Sequence, residues 1–196
     1  MQNVNINSLM DKIERLRFEY DGIAYKMLSD SEVEVSRNFE IMFPDVVIPD
    51  SVEYDGKTFL VTRIGKMAFY GCREVMTICL PESVKEIGEA AFCCCELLMT
   101  VNIPAGIEKI EYETFYGCEH LESLFIPYNV RVVKDIALWY FRGLKSISIP
   151  QHLLGTEYPK IYPKRGCDVG QCRSLNSLEH CFVRLRSGEV EDFGRD

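Results

Sequence analysis

The sequence is poor in the parts that chemistry usually requires. It has three histidines and one tryptophan in 196 residues, and His120, His152 and His180 fall in no metalloprotease, kinase, phosphate-loop or nucleophile-elbow pattern. Glycine-rich phosphate loops are missing, and the 30 carboxylates are scattered without a spacing that singles out an acid and base pair. The reading is therefore no catalytic residue, no cofactor and no metal. Positive charge is short as well: 22 Lys and Arg against 30 Asp and Glu leave a net charge of -8, which repels phosphate backbones and argues against a nucleic-acid partner. No apolar run approaches the roughly 18 residues of a membrane span. The opening MQNVNINSLMDKIERL lacks the basic and then continuously apolar pattern of a signal peptide.

What is present is a period of 23. Prolines fall at Pro81, Pro104, Pro127 and Pro150. Ile78, Val101, Leu124 and Ile147 keep the same spacing, as do Leu80, Ile103, Ile126 and Ile149, and also Val75, Leu98, Leu121 and Leu144. Phe69, Phe92 and Phe115 make a further column that Leu138 continues, and Cys72, Cys95 and Cys118 follow it three residues later. So many columns at one spacing mark a stacked repeat, in which each unit buries its apolar face only against its neighbours. Six of the nine cysteines lie outside that column, with Cys93 and Cys94 directly before Cys95. An odd total and a buried column favour free, core-packed thiols over a disulfide network.

In chain order, residues 1–15 have helical spacing behind Ser8, and Leu16–Tyr20 and Ile23–Leu28 flank Asp21-Gly22, a hairpin turn signal. Val33–Ser36 reads as a third strand, so residues 1–43 are expected to form an N-terminal cap with a small antiparallel sheet. Residues 44–150 hold the repeats. The first carries nine extra residues around SVEYDGKTFLVT, where Asp55-Gly56 predicts an inserted hairpin. In a regular unit such as 98–118 a strand around Val101 ends at Pro104, a second extended piece spans Ile107–Ile110, and a tight or helical turn returns the chain. The glycine column Gly65, Gly88 continues as Glu111 and Lys134, so close approach or a loose turn, rather than positive φ, is expected there. Residues 151–196 read as a degenerate repeat and C-terminal cap with a frayed tail, because Cys172, Leu175 and Leu178 imitate Cys118, Leu121 and Leu124.

IPDSV, LPESV and IPAGI, with IGKMAFYGC, IGEAAFCCC and IEYETFYGC, resemble the BspA-like leucine-rich repeat. The resemblance covers roughly residues 18–150. It implies a β-rich right-handed coil with parallel strand ladders and short helical turns. It also implies a non-catalytic interaction or adhesion module, on a bacterial surface or secreted, with a protein or glycan partner.

Two sets of chemically capable residues compete with packing. Cys118 and His120 pair a thiol with a base, but the thiol lies in the buried column. Cys167, Cys172, His180 and Cys181 are four soft ligands in an unusual spacing, open to a metal site, a local disulfide or plain packing. A glycan- or small-ligand site, binding or catalytic, in the C-terminal insertion is the alternative function. Strand alternation points Thr77, Thr100, Ser123 and Ser146, then Cys79, Asn102, Phe125 and Ser148, away from the core. Phe125, Tyr128 and Asn102 are the candidate partner-binding patch, since exposed aromatics on a flat polar face suit an interface.

Overall fold

The structure, a computed structural model, describes residues 16–38, 41–153, 168–172 and 181–183. The helix expected within residues 1–15 and the tail from Ser187 lie outside the described residues. β1 (Arg17–Tyr20) and β2 (Ile23–Met27) form an antiparallel hairpin across Asp21 and Gly22, both at positive φ (52° and 74°), which a two-residue turn with the strands' own twist needs. β3 (Glu32–Val35) pairs antiparallel with β2, and β4 (Asp45–Val47) follows. β5 (Ser51–Tyr54) and β6 (Lys57–Ile64) form a second hairpin across Asp55-Gly56. The small N-terminal sheet is not a separate antiparallel unit, because β3 also pairs parallel with β6. The cap thus runs directly into the repeats, and its strand edge is covered by pairing rather than left open. Asn38, buried, ties the two parts further: its Oδ1 accepts from Ala24 N at 2.9 Å and its Nδ2 donates to Ser36 O at 2.8 Å, while its backbone N–H donates to Ala68 O at 2.8 Å.

The regular units supply β7 (Thr77–Cys79), β8 (Glu86–Ile87), β9 (Thr100–Val101), β10 (Lys109–Ile110), β11 (Ser123–Phe125), β12 (Val132–Val133) and β13 (Ser146–Pro150). First strands pair parallel as β4-β7-β9 and β11-β13; second strands pair parallel as β6-β8 and β10-β12. Between the two rows lie the sequence columns. Leu121, Leu124, Ile126 and Phe115 are all buried in one core, with Leu138 closing the phenylalanine column. The rings stack, Phe69 on Phe92 at 5.7 Å and Phe92 on Phe115 at 5.3 Å, with interplanar angles of 12° and 14°.

The return segments differ from the helical turns implied by the resemblance; the described residues hold no α-helix. Each return is a run of linked β-turns. In the first, Ala68 N bonds Gly65 O, Tyr70 N bonds Met67 O, and Cys72 N bonds Phe69 O. Met67 and Gly71 have positive φ (56° and 70°), as the third residue of a type II turn requires. The feature recurs at Ala90 and Cys94, Glu113 and Gly117, and Ile136 and Tyr140. Met67, Phe69 and Gly71 also donate to Glu89, Ala91 and Cys93 of the next unit, so every second amide of the turn joins a ladder between repeats, a direction a helix would spend internally.

After a 3-10 turn at Gln151–Leu153, β14 (Asp168–Cys172) pairs parallel with β13 and β15 (Cys181–Val183) pairs antiparallel with β14. This corrects the C-terminal alignment. Cys172 stands opposite Pro150, and Val169 opposite Ile147, so Cys172 belongs to a strand and not to the cysteine column. Three residues spaced by three match too easily by chance, whereas five consecutive backbone pairs fix a register.

Candidate functional site

The row of first strands has one face turned inward, through Val46, Ile78, Val101, Leu124 and Ile147, and one turned away from the core. On the outer face Asp45, Thr77 and Thr100 pair in register, as do Ser123 and Ser146, and the 23-residue period continues the first set into the second. Val47 pairs with Cys79, and Asn102 and Phe125 follow at the same period. Thr77 Oγ1 donates to Asp45 Oδ1 at 2.6 Å, linking the first two rungs of the hydroxyl line. Val47 is 71% exposed and Phe125 40%, with Cys79 also exposed. Three of four rungs in this line are therefore apolar and wet. Val47 escaped the sequence reading because the nine-residue insertion breaks the 23 spacing; counting 32 back from Cys79 locates it. Met42, 81% exposed just before β4, is a second large apolar side chain that periodicity did not single out.

The three residues of the expected patch have different roles. Phe125 stands exposed on β11 as alternation requires. Asn102 is exposed too, yet its amide is committed: Oδ1 accepts from Leu80 N at 2.7 Å and Nδ2 donates to Leu80 O at 2.8 Å. A side chain thus satisfies the backbone groups of the neighbouring strand just past the end of the β7–β9 ladder. Tyr128 is half-buried; His152 meets its ring edge-on at 5.2 Å and the Arg131 guanidinium lies 5.8 Å from its centroid. Ser148, expected to point to solvent, is 5% exposed. It sits in register between Phe125 and Gly170, where a short side chain beside a large cross-strand ring loses its water.

The opposite surface, formed by the return turns, carries Tyr70, Tyr112, Tyr116, Trp139 and Tyr140, all half-buried or exposed. Tyr116 and Tyr140 meet edge to face at 5.1 Å, and the Arg37 guanidinium lies 5.7 Å from the Tyr70 ring centroid. Cys93 and Cys94 lie in this surface, and the charge of Cys94, then that of Cys93, raises the Tyr70 phenol above its ordinary value. Burial raises the Cys93 thiol to about 12 and the Cys72 thiol to about 11. It raises those of Cys95 and Cys118 well above the usual range. Cys95 Sγ donates to Phe69 O at 2.9 Å and Cys118 Sγ to Phe92 O at 3.2 Å, one repeat back in each case. Cys72, Cys95 and Cys118 are packing thiols. Cys118 is not joined to His120, which is exposed and holds Glu96 O through Nδ1 at 2.8 Å.

Hollows in the described residues are shallow. One of about 110 Å³ lies by Met27, Tyr54 and Phe59. Another of about 390 Å³ runs beside β8 and β10 between Lys85, Glu86, Ile87, Glu108, Lys109 and Glu111, an open and mostly charged set of side chains rather than the aromatic and aliphatic enclosure that small-ligand sites favour. The inserted loop 156–166, Cys167 and His180 lie outside the described residues, as do the side chains of Cys172 and Cys181. The ligand site and the metal or disulfide readings placed there go with them. Among the described residues no helix is long and apolar enough to cross a membrane.

Residues 44–157 match the BspA type leucine rich repeat region in six copies. No curated protein matches the chain. Among solved structures, it is similar to a leucine-rich repeat protein from Bacteroides ovatus, 37% identical with a TM-score of 0.61 over 69% of this chain and 36% of that one. It is also similar to a leucine rich cell surface protein from Faecalibacterium prausnitzii, 24% identical with a TM-score of 0.60 over 71% and 35%. A leucine-rich repeat protein from Bacteroides capillosus is 24% identical with a TM-score of 0.61 over 67% and 96%. The chain spans about a third of the length of the first two.

Proposed function

The chain belongs to the BspA-type leucine-rich repeat family, and from that premise we propose that it is a non-catalytic interaction module of a bacterial surface, which holds a protein partner on the outer face of its first strands. The observation that carries this reading is the line Val47, Cys79, Asn102, Phe125, in which three apolar side chains stand exposed beside a line that is mostly hydroxylated. Such a surface offers area and an aromatic anchor but no enclosure, which suits a macromolecule better than a small substrate. Phe125 is the aromatic anchor at one end of the line, Asn102 engages the Leu80 backbone beside it, and Tyr128 borders it. A surface location is supported by the family and by the relative described as a cell surface protein.

The test separates anchor from packing. Val47→Ser with Phe125→Ser is expected to abolish binding to host-cell surface proteins and leave the melting temperature within a few degrees, because both side chains already meet water, Val47 at 71% exposure and Phe125 at 40%. Tyr128→Ser, by contrast, is expected to lower the melting temperature through its lost contacts with His152 and Arg131. Binding by the double variant at the wild-type level would overturn the assignment, and retention of glycans alone by the wild type would replace the protein partner with a sugar.

A further inference from the structure

Cys93 and Cys94 place two adjacent thiols where the neighbouring repeats hold none. Their columns elsewhere hold Tyr70, Tyr116 and Trp139, and Gly71, Gly117 and Tyr140. Cys94 sits at φ 59° in a column where two of four members are glycine, a conformation that disfavours a side chain. The two sulfurs approach to 3.6 Å. Cys93 is 3% exposed, Cys94 is half-buried, and both are free thiols. Cys95 cannot take the place of either, since it is fully buried and its Sγ is held by Phe69 O at 2.9 Å.

We infer that Cys93 and Cys94 are a dithiol modification site, which a low-molecular-weight disulfide converts reversibly into a vicinal Cys93–Cys94 disulfide. Cys94, the accessible member, loses its proton and attacks one sulfur of the reagent R–S–S–R, forming Cys94–S–S–R and releasing RS⁻, which takes up the proton. Cys93 then loses its proton and attacks Cys94 Sγ, the protein disulfide forms, and the second RS⁻ leaves and is protonated. The two protein thiols are oxidised by two electrons, and the reagent is reduced to two thiols. The sulfurs have about 1.6 Å to close from contact to a bond of about 2.0 Å, which takes rotation of both side chains and adjustment of the peptide between them, because adjacent Cα atoms lie about 3.8 Å apart. Cys93 is buried beneath its neighbour, so it acts as the resolving thiol and is not attacked first.

Incubation of the full chain with oxidised glutathione, alkylation of residual thiols and mass analysis of the peptide containing residues 93–95 decides the matter. The expected product has lost two hydrogens, carries no glutathione, forms at a rate independent of protein concentration and is reversed by dithiothreitol. Exposed Cys79 in the same sample keeps a glutathione adduct. Cys93→Ser is expected to leave glutathione on Cys94. An unreacted peptide, a glutathione adduct that persists on wild-type Cys94, or loss of two hydrogens in Cys93→Ser through Cys95, would each overturn the assignment. If Cys93→Ser fails to fold, fragmentation of the oxidised wild-type peptide locates the bond.

Discussion

Phe92→Ala is expected to cost about 3–5 kcal/mol, the range for a buried phenylalanine emptied to a cavity, and to split the molecule's unfolding into two steps. Phe92 is fully buried and its ring is sandwiched between Phe69 at 5.7 Å and Phe115 at 5.3 Å. The change therefore removes two aromatic contacts at once, each worth about 0.5–1.5 kcal/mol beyond area. In a quasi-one-dimensional stack each unit is held only by the two beside it. A cavity in the middle uncouples the capped N-terminal units from the C-terminal ones, while the same cavity at Leu138, near the end of the described column, would shorten the stack instead. Urea unfolding followed by circular dichroism should show a lower midpoint and a shallower slope, the mark of lost two-state behaviour. A single transition at the wild-type midpoint would mean the rings do not couple the repeats.

The second large effect falls on a glycine whose φ is ordinary. A Cβ at Gly88 would lie 2.6 Å from Lys66 N, 2.8 Å from Gly65 C and 2.9 Å from Lys66 Cα, all backbone of the preceding turn and unable to rotate away. Overpacking of this kind costs about 1–3 kcal/mol. Gly71 is the opposite case, with φ 70° and nothing within 4 Å of an added Cβ, so Gly71→Ala carries only the left-handed penalty of about 1 kcal/mol. Melting temperatures should fall in the order wild type, Gly71→Ala, Gly88→Ala. The reverse order would show that backbone conformation, and not contact between repeats, selects glycine here.

That pair also shows what was legible in the sequence. A column reading Gly, Gly, Glu, Lys argued against positive φ, leaving close approach or a loose turn, and Gly65, Gly88, Glu111 and Lys134 are all outside the left-handed region, with the close approach found at Gly65 and Gly88. The residues that do occupy it, Met67, Ala90, Glu113 and Ile136, give no compositional signal; at Met67 and Ala90 hydrogen bonds to Glu89 O and Tyr112 O of the next repeat impose the conformation on whatever residue is there. Core columns were readable because burial acts on one side chain at a time and repeats every 23 residues. Register after an insertion was not, which is why Val47 was missed and Cys172 was placed in the wrong column. The candidate patch was half legible: alternation found Phe125, but the hydrogen bonds that engage Asn102 with Leu80, and the His152 contact of Tyr128, depend on neighbours one repeat away.

Cys79 offers the most direct measurement of whether the outer sheet face is the binding surface, since it is an exposed free thiol lying between Val47 and Asn102 in the apolar line. Its alkylation rate by iodoacetamide is compared between the free chain and the chain saturated with a bound protein, with Cys94 on the return-turn surface as the internal reference. Partner binding at the sheet face predicts at least a tenfold slowing at Cys79 and an unchanged rate at Cys94. An unchanged rate at Cys79 with slowing at Cys94 would contradict it and move the binding surface to the tyrosine-rich turns.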